Sequence, residues 1–209
     1  MRIIAGRFRG RTLVAPTGMK TRPTSALARG ALFEILRNDL DGARVADLFA
    51  GTGALGLEAL SRGARRVDFY ESHKPALEAL KKNIAALGAS ADTRVVNGAL
   101  PDSLGAGEPY DLMLMDPPWR VGHELAVATR IMARNRLAPE GLLVIESPRS
   151  EPLDVAAFLA AGLELDDRRS YGDTELRFFS RAAAATSVSA SSAGDPFEHL
   201  PTDSSESTP

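Results

Sequence analysis

From Arg44 to Arg181 the sequence alternates short apolar runs with amphipathic stretches, and this alternation is the strongest constraint on its fold. Runs such as RVADLF, RVDFYE, YDLMLMD and GLLVIE have the length and composition of buried strands. Strands that alternate with helices predict a mostly parallel, Rossmann-like α/β sheet with helices on both faces. We predict these helices over residues 54–62, 74–87, 122–137 and 152–161.

The last two apolar runs, near residues 163–169 and 174–180, are separated only by Tyr171-Gly172-Asp173. No helix fits between them, so they predict a hairpin. The hairpin adds one antiparallel strand at the edge of the otherwise parallel sheet.

The N-terminal residues 1–37 form a basic extension, with eight Lys or Arg residues and one acidic residue. The runs RIIAG and RTLVAP predict a β-hairpin. A helix is expected over residues 25–37, capped by Thr24. The apolar residues expected on one face of this helix are Leu27, Ala31, Leu32, Ile35 and Leu36. A basic segment on an otherwise acidic chain suggests a polyanionic partner.

Composition separates a C-terminal tail, residues 182–209, from the domain predicted over residues 38–181. The tail is rich in Ser, Thr, Ala and Pro and has few large apolar residues, so we expect it to be disordered. The chain has no cysteine, which excludes disulfides and thiolate chemistry, and its three histidines have no metal-ligand spacing. We expect no metal, no membrane partner and a cytoplasmic protein, because no signal peptide or membrane-spanning run is present.

A glycine-rich loop in the stretch DLFAGTGALGLEAL contains a GxGxxG pattern between a predicted strand and a predicted helix. Such a loop can hold a nicotinamide dinucleotide or S-adenosyl-L-methionine, beyond the carboxyl end of its strand. Asp47 precedes the loop, where its carboxylate repels a pyrophosphate and suits a cationic ligand, which favours S-adenosyl-L-methionine. Glu71 ends the next strand, where a carboxylate can accept hydrogen bonds from both ribose hydroxyls of either cofactor.

A second motif, Asp116-Pro117-Pro118-Trp119, follows the apolar strand DLMLM. The two prolines forbid a helix and stiffen the backbone, so that the Asp116 side chain and the Pro117 carbonyl can point the same way. Two acceptors side by side suit an exocyclic amine, whose nitrogen lone pair they would direct toward a methyl donor. Trp119 offers a flat face on which a base can stack.

Together these residues resemble the RsmD-type 16S rRNA (guanine-N2) methyltransferases. The resemblance spans residues 2–179, through RIIAGRFRGRTL, TRPT, ALFEIL, DLFAGTGALGLEALSRGA, DPPW and YGDTELRFF. It implies a class I methyltransferase sheet and methyl transfer from S-adenosyl-L-methionine to the N2 amine of a guanine. The implied cofactor-binding residues are Asp47, Phe49, Gly51, Gly53 and Glu71, and the implied catalytic residues are Asp116, Pro117 and Trp119.

The sequence departs from that family at three places. Where members carry an acidic residue near the adenine, this chain has Asn97-Gly98-Ala99, which leaves adenine recognition to the backbone or to Asn97. Ala26 and Leu27 replace an acidic and a basic residue of the helix after TRPT. Trp119 replaces a commoner Tyr, which keeps a stacking face and loses a hydroxyl.

The expected partner is 16S rRNA, free or in a small-subunit ribonucleoprotein particle, met by a monomer of this chain. Arg7, Arg9 and Arg11 can share one face of a strand and contact phosphates, and Phe8 between them can stack on a base. Arg22 and Thr24, in a stiff Arg-Pro-Thr loop, can complete the site.

Three alternatives stay open. An amino-group methyltransferase can act on DNA adenine N6 or on a protein glutamine, although glutamine favours Asn before the two prolines and DNA favours a separate recognition domain. An NAD-dependent oxidoreductase is disfavoured by Asp47 and by the lack of a His or Tyr at a hydride site. A non-catalytic RNA-binding module has no use for Asp116.

Overall fold

The computed structural model describes residues 1–16, 26–118 and 122–183. In chain order the elements are α1 (Ala26–Ile35), β1 (Arg44–Leu48), α2 (Ala54–Ser61), β2 (Arg66–Glu71), α3 (Lys74–Leu87), β3 (Thr93–Asn97), β4 (Tyr110–Met115), α4 (Glu124–Ala133), β5 (Leu137–Pro148), α5 (Val155–Ala160), β6 (Leu163–Tyr171) and β7 (Thr174–Arg181). None of the helices in these ranges is long and apolar enough to cross a lipid bilayer. The tail for which we predict disorder, residues 182–209, lies outside the described residues from residue 184 onward.

The seven strands form one sheet in the order β3-β2-β1-β4-β5-β7-β6. Strands β1 to β5 pair in parallel, and β7 is antiparallel to both β5 and β6. The predicted Rossmann-like sheet, with its hairpin and antiparallel strand at one edge, is confirmed. The hairpin inserts β7 between β5 and β6, so edge strand β6 runs in the same direction as the first five. Strand order reverses between β1 and β4, which opens a crevice at their carboxyl ends.

Helices cover both faces of the sheet and make two cores. Buried side chains of α1, α2 and α3 share one cluster with Leu114 and Val144. Those of α4 and α5 share the other cluster with Met115 and Ile145. Successive residues of β4 and β5 therefore alternate between the two faces, as the pleat of a strand requires. Both faces are buried, which accounts for the continuous apolar runs in the sequence.

The N-terminal hairpin is present in a short form. Its antiparallel bridge joins Arg2 to Thr12, and turns and bends occupy residues 5–10. The expectation that Arg7, Arg9 and Arg11 alternate along a strand is therefore wrong. The glycine that starts the turn, Gly6, has a φ of 79°, and a Cβ there would lie 1.8 Å from the Ser61 carbonyl oxygen. Close contact with α2 thus imposes a turn where the alternating pattern suggested a strand.

A buried carboxylate on α2 anchors this N-terminal arm, residues 1–16. Glu58 is fully buried, and its two oxygens accept hydrogen bonds from the backbone N–H groups of Ile4 (2.7 Å) and Ala5 (3.0 Å). Arg62, one turn later, donates its Nε–H to the same carboxylate at 2.8 Å. Ile3 and Leu13 are buried in the cluster that includes α1 and α2, so the arm is part of the main core.

Helix α1 buries a different face from the predicted one. Leu32 and Leu36 are buried as predicted, whereas Leu27 is 72% exposed and Ile35 is 42% exposed. The residues that join the two leucines in the core are Ala28, Arg29 and Phe33. The sequence allows two overlapping apolar stripes, and burial of the Phe33 ring selects the one that removes more apolar surface from water.

Removing the charge of Glu58 is expected to loosen the arm. Glu58→Gln keeps the shape of the side chain but leaves a buried backbone N–H or Arg62 without its acceptor, at a cost of about 1–3 kcal/mol of unfolding free energy. Chemical denaturation measures the loss, and hydrogen exchange should show faster exchange at the amides of Ile4 and Ala5. Glu34→Gln, on the exposed face of α1, is the matched control and should change neither. Equal stability of the two variants would contradict the anchoring role of Glu58.

Candidate active site

Acidic side chains gather where the parallel strands of the sheet end. Asp47 lies near the carboxyl end of β1, Glu71 ends β2, and Asp116 directly follows β4. Because β2, β1 and β4 are neighbours in the sheet, these three carboxylates stand along one edge, at the point where strand order reverses. The structure thus brings together the three acids that the sequence singled out from two separate motifs.

Asp47 is the most buried of these acids, with 2% of its surface exposed. Its Oδ2 accepts a hydrogen bond from the backbone N–H of Gly56 at 2.8 Å. Burial raises the pKa of Asp47 well above its ordinary value, the Gly56 hydrogen bond lowers it, and the carboxylates of Asp116 and Glu71 raise it further. A cation at this edge would offset both the burial and the repulsion.

The glycine-rich loop has the backbone that its sequence requires. Gly51 and Gly53 have φ values of 56° and 80°, in the left-handed region that favours glycine. Gly56 serves packing instead, since a Cβ there would lie 2.4 Å from the Phe69 ring. This glycine lets α2 approach β2 closely and brings its own N–H to Asp47.

Phe49 is the bulky residue of this loop, and its φ of 63° is also left-handed. Such a conformation is costly for an aromatic residue and is typical of functional sites. The ring stacks on His123, which precedes α4, with 6.1 Å between centroids and 25° between planes. Sequence reasoning gave His123 no role. The contact links the glycine loop to the segment that follows the Asp-Pro-Pro motif.

The Glu71 carboxylate is held firmly by backbone donors. Its Oε2 accepts from Gly51 N at 2.7 Å, and its Oε1 accepts from Ser72 N at 2.8 Å and His73 N at 2.7 Å. Oε2 keeps acceptor capacity beyond the Gly51 bond, since a carboxylate oxygen has two lone pairs. Asn97, at the end of β3, is the register partner of Glu71 and is exposed. The roles predicted for Glu71 and Asn97 stay predictions.

Asn83 of α3 ties the glycine loop to the N-terminal arm. Its Nδ2 donates to the carbonyls of Thr52 (3.0 Å) and Val14 (3.1 Å), and its Oδ1 accepts from Val14 N at 2.8 Å. The side chain is 1% exposed, so all its contacts are shielded from water. Sequence reasoning missed Asn83, although an amide inside the apolar period of a helix was a usable signal.

The target side of the site begins at Asp116, whose backbone N–H donates to the Leu48 carbonyl at 3.5 Å. Pro117 is buried and Pro118 is exposed, while Trp119 lies outside the described residues. A cleft of about 670 Å³ opens nearby, between the start of α4 and the loop after β5. Its lining includes Gly122, Leu125, Pro152 and Phe158.

The arginines proposed to contact RNA have different surroundings. Arg7 pairs with Asp92 at 2.7 Å and lies 4.7 Å from the centroid of the half-buried Phe8 ring. Arg11 donates to the Ala86 carbonyl, beside the last turn of α3. Arg9 is exposed, and its side chain makes no hydrogen bond or ion pair with any described residue. Arg22 and Thr24 lie outside the described residues.

The turn of the arm lies at the end of α2 that is away from the glycine loop. Helix α2 begins directly after Gly53 and ends at Ser61, whose carbonyl accepts the backbone N–H of Arg7 at 2.8 Å. Arg7 and Arg11 fasten the turn to the protein, and Arg9 is the arginine of the three whose side chain bonds to no described residue.

Comparison with known proteins decides the family. Over residues 1–180 the sequence matches the family described as Conserved hypothetical protein 95. Ribosomal RNA small subunit methyltransferase D of Escherichia coli (strain K12) is 35% identical over 188 residues, which are 90% of this chain and 93% of the relative. The chain belongs to this methyltransferase D family.

Further relatives agree with the methyltransferase D family. The protein of the same name from Haemophilus influenzae is 34% identical over 157 residues, 73% of this chain and 81% of the relative. The solved structure of yhhF from Escherichia coli, provisionally described as a methyltransferase, has a TM-score of 0.77 at 35% sequence identity. The match covers 88% of this chain and 99% of the yhhF chain. The resemblance read from the motifs is confirmed, and so is the class I methyltransferase fold.

Because its pKa is raised, Asp47 should make the free energy of unfolding depend on pH. Because the native state raises this pKa, it binds the proton more tightly than the unfolded chain does, and stability falls as pH rises from the ordinary carboxyl pKa through the raised one. Asp47→Asn removes this penalty, so the variant should be more stable than wild type at neutral pH and lose the advantage in acid. Denaturation at a series of pH values checks this. A variant that is less stable than wild type at neutral pH and equal to it in acid would show that the Asp47 charge stabilises the fold.

Proposed function

We propose that this protein transfers a methyl group from S-adenosyl-L-methionine to the N2 amine of a guanine in small-subunit rRNA. The observation that carries the proposal is the position of Asp116 and Pro117, two stiffly held acceptors, beside the acidic edge that follows β1 and β2. The names of the relatives, ribosomal RNA small subunit methyltransferase D, support rRNA as the substrate.

The acidic edge fits the proposed cofactor. S-adenosyl-L-methionine supplies an electrophilic methyl group on a sulfonium cation and also carries an ammonium group. Asp47 meets this positive charge with a buried carboxylate that accepts a hydrogen bond from Gly56 N. Glu71, oriented by the N–H of Gly51, is proposed to accept hydrogen bonds from the ribose hydroxyls. The residues proposed to hold the cofactor are Asp47, Phe49, Gly51, Gly53, Glu71 and Asn97.

At the target, the chain prepares an unreactive nitrogen. The lone pair of an exocyclic guanine amine is delocalised into the ring. When Asp116 and the Pro117 carbonyl accept its two N–H groups, the lone pair turns away from them, toward the methyl donor. As the new N–C bond forms, the nitrogen becomes acidic, and its surplus proton passes to the Asp116 carboxylate and then to water. Trp119 is proposed to stack on the guanine.

The remaining assignments follow from this function. Residues 38–181 are proposed to form the catalytic domain, residues 1–37 an rRNA-recognition extension and residues 182–209 a dispensable tail. A cytoplasmic enzyme that meets ribosomal particles fits the names of the relatives. An NAD-dependent oxidoreductase has no support from the relatives, and methylation of DNA or of a protein glutamine is the remaining alternative for the target.

Recognition of rRNA is proposed to use the exposed face of the arm. Arg9 is the strongest candidate for a phosphate contact, because Arg7 and Arg11 already bind the protein. Those two, with Phe8, Arg22 and Thr24, complete the proposed interface. Arg7 can still reach a phosphate, since half of its side-chain surface is exposed.

Loss of the Asp116 carboxylate tests the mechanism. Asp116→Ala should lower the rate of methyl transfer to small-subunit particles by roughly a hundredfold or more, the typical effect of removing one oriented group. Calorimetry should show nearly unchanged affinity for S-adenosyl-L-methionine, because Asp116 acts on the amine. Asp102→Ala, an acid with a 91% exposed side chain, is the control and should keep full activity. Near-normal turnover of Asp116→Ala would rule this mechanism out.

Salt dependence tests the arm. If Arg9 contacts one phosphate, Arg9→Ala should reduce the slope of log affinity against log salt by roughly 0.7 to 0.9. Affinity for the cofactor should stay the same, because the arm's turn lies at the end of α2 that is away from the glycine loop. Arg168→Ala, which removes an arginine of β6 with a 65% exposed side chain, outside the proposed extension, serves as the control. Parallel salt plots for wild type and Arg9→Ala would mean that RNA is bound elsewhere.

A further inference from the structure

A fourth acid stands beside Asp116 on the neighbouring strand. Met115 of β4 is in parallel register with Ile145 of β5. Asp116 directly follows β4, and Glu146 follows Ile145 two residues before the end of β5, so the two acids are neighbours near the carboxyl ends of these strands. Met115 and Ile145 belong to the core cluster that covers one face of the sheet with α4 and α5. Since successive side chains alternate between faces, Asp116 and Glu146 are placed on the other face, which Leu114 and Val144 share with α1. Neighbouring strands lie about 4.8 Å apart, so the two carboxyl groups can reach one ligand.

Glu146 is a buried acid, with 5% of its surface exposed. Two carboxylates side by side in a sheet repel each other, and burial makes that repulsion stronger. Neighbouring acids that are withdrawn from water are typical of functional sites. The side chain of Glu is one methylene longer than that of Asp, so the Glu146 carboxyl group reaches farther from its strand.

An arginine of α1 approaches Glu146 from the other side. Arg29 is 3% exposed, and its Nη2 donates to the Arg2 carbonyl at 2.8 Å. Its Nε and Nη1 are buried and make no hydrogen bond within the described part of the chain. Burial lowers the pKa of Arg29, and the carboxylates of Glu58 and Glu146 oppose that effect. The charges of Arg29 and Glu146 therefore attract each other across the buried space between α1 and β5.

Resting on the proposed function, we infer that Glu146 is a specificity-determining residue that accepts the N1–H of the target guanine. Guanine presents three neighbouring donor hydrogens in its plane, N1–H and one N2–H on the Watson–Crick edge and the other N2–H on the side of N3. Asp116 and the Pro117 carbonyl account for the two on N2. Glu146, the next acceptor along the same sheet edge, accounts for the third.

This arrangement distinguishes guanine from the other bases that carry an exocyclic amine. Adenine and cytosine present a bare ring nitrogen, an acceptor, next to the amine. With either base in the site, that lone pair would face the Glu146 carboxylate, and the buried acid would lose its donor. The acceptors of the Asp-Pro-Pro-Trp motif can bind the exocyclic amine of guanine, adenine or cytosine, so the selectivity for guanine comes from Glu146.

The test compares two bases at the target position. Mass spectrometry first maps the guanine that the wild-type enzyme methylates in small-subunit particles. Particles are then assembled on rRNA that carries guanine or 2-aminopurine at that position. 2-Aminopurine keeps the N2 amine but has a bare N1, so wild type should methylate it roughly 10- to 100-fold more slowly. Glu146→Gln should lose most of this preference, because its carboxamide can donate to the bare N1.

A matched control separates recognition from folding. Glu175→Gln removes another buried acid, which lies on β7 and pairs with Arg177 on the opposite face of the sheet, and it should keep the wild-type preference. Both variants should bind S-adenosyl-L-methionine with wild-type affinity in calorimetry. 2-Aminopurine also lacks the O6 of guanine. Comparing the guanine to 2-aminopurine rate ratio between variants removes the effect of this atom, because every enzyme meets the same two bases.

The outcomes are distinct. If Glu146→Gln slows both substrates by the same factor, the inference is overturned and Glu146 only positions α1. If Glu146→Gln does not fold, the comparison uses wild type and Glu146→Asp instead. The inference then requires that wild type methylates guanine faster than 2-aminopurine, and that Glu146→Asp is slower than wild type on guanine only. Equal wild-type rates on the two bases overturn the inference and leave the proposed function intact. No methyl transfer to guanine by wild type overturns the proposed function itself.

Discussion

Buried negative charge at one edge of the sheet is the constraint on which the site depends. At the opposite edge, burial alone would raise the pKa of Asp68, but a hydrogen bond from Tyr110 and the charges of Arg94 and Arg44 outweigh it and lower that pKa. No cationic side chain of the described ranges offsets the burial of Asp47 in this way, and its pKa is raised. The buried charge of Asp68 is thus offset by neighbouring arginines. The buried charge of Asp47 is not, and a cationic ligand at this edge would offset it.

The N-terminal arm belongs to the same design, because it is built onto the helices that carry the glycine loop. Glu58 holds the arm through two backbone N–H groups, and Asn83 binds Val14 of the arm and Thr52 of the loop with one side chain. Under the proposed function, an RNA that shifted the arm would act on residues in contact with the loop. This offers a direct physical route between substrate recognition and the cofactor side of the site.

The sequence predicted the sheet, its hairpin and the gathering of Asp47, Glu71 and Asp116, because parallel strands place their carboxyl ends together whatever the details of packing. It did not predict the buried face of α1, since two apolar stripes overlap and only contact with the sheet selects one. It also misjudged the arm, where contact of Gly6 with α2 replaces a strand by a turn. Glu146 was visible as an acid ending a buried strand, but its meaning depends on its register with Asp116, which β-strand order alone reveals.

Under the proposed function, the two pairs of acids have different duties, and the difference bears on turnover. Asp47 would face the positive charge of the methyl donor and Glu71 its ribose hydroxyls, whereas Asp116 and Glu146 would face N–H donors of the neutral guanine. Loss of the methyl group would turn the sulfonium cation into a neutral thioether, and Asp47 would then lose part of what offsets its burial and the repulsion of its acidic neighbours. The same buried charge that attracts the methyl donor thereby weakens the hold on the product.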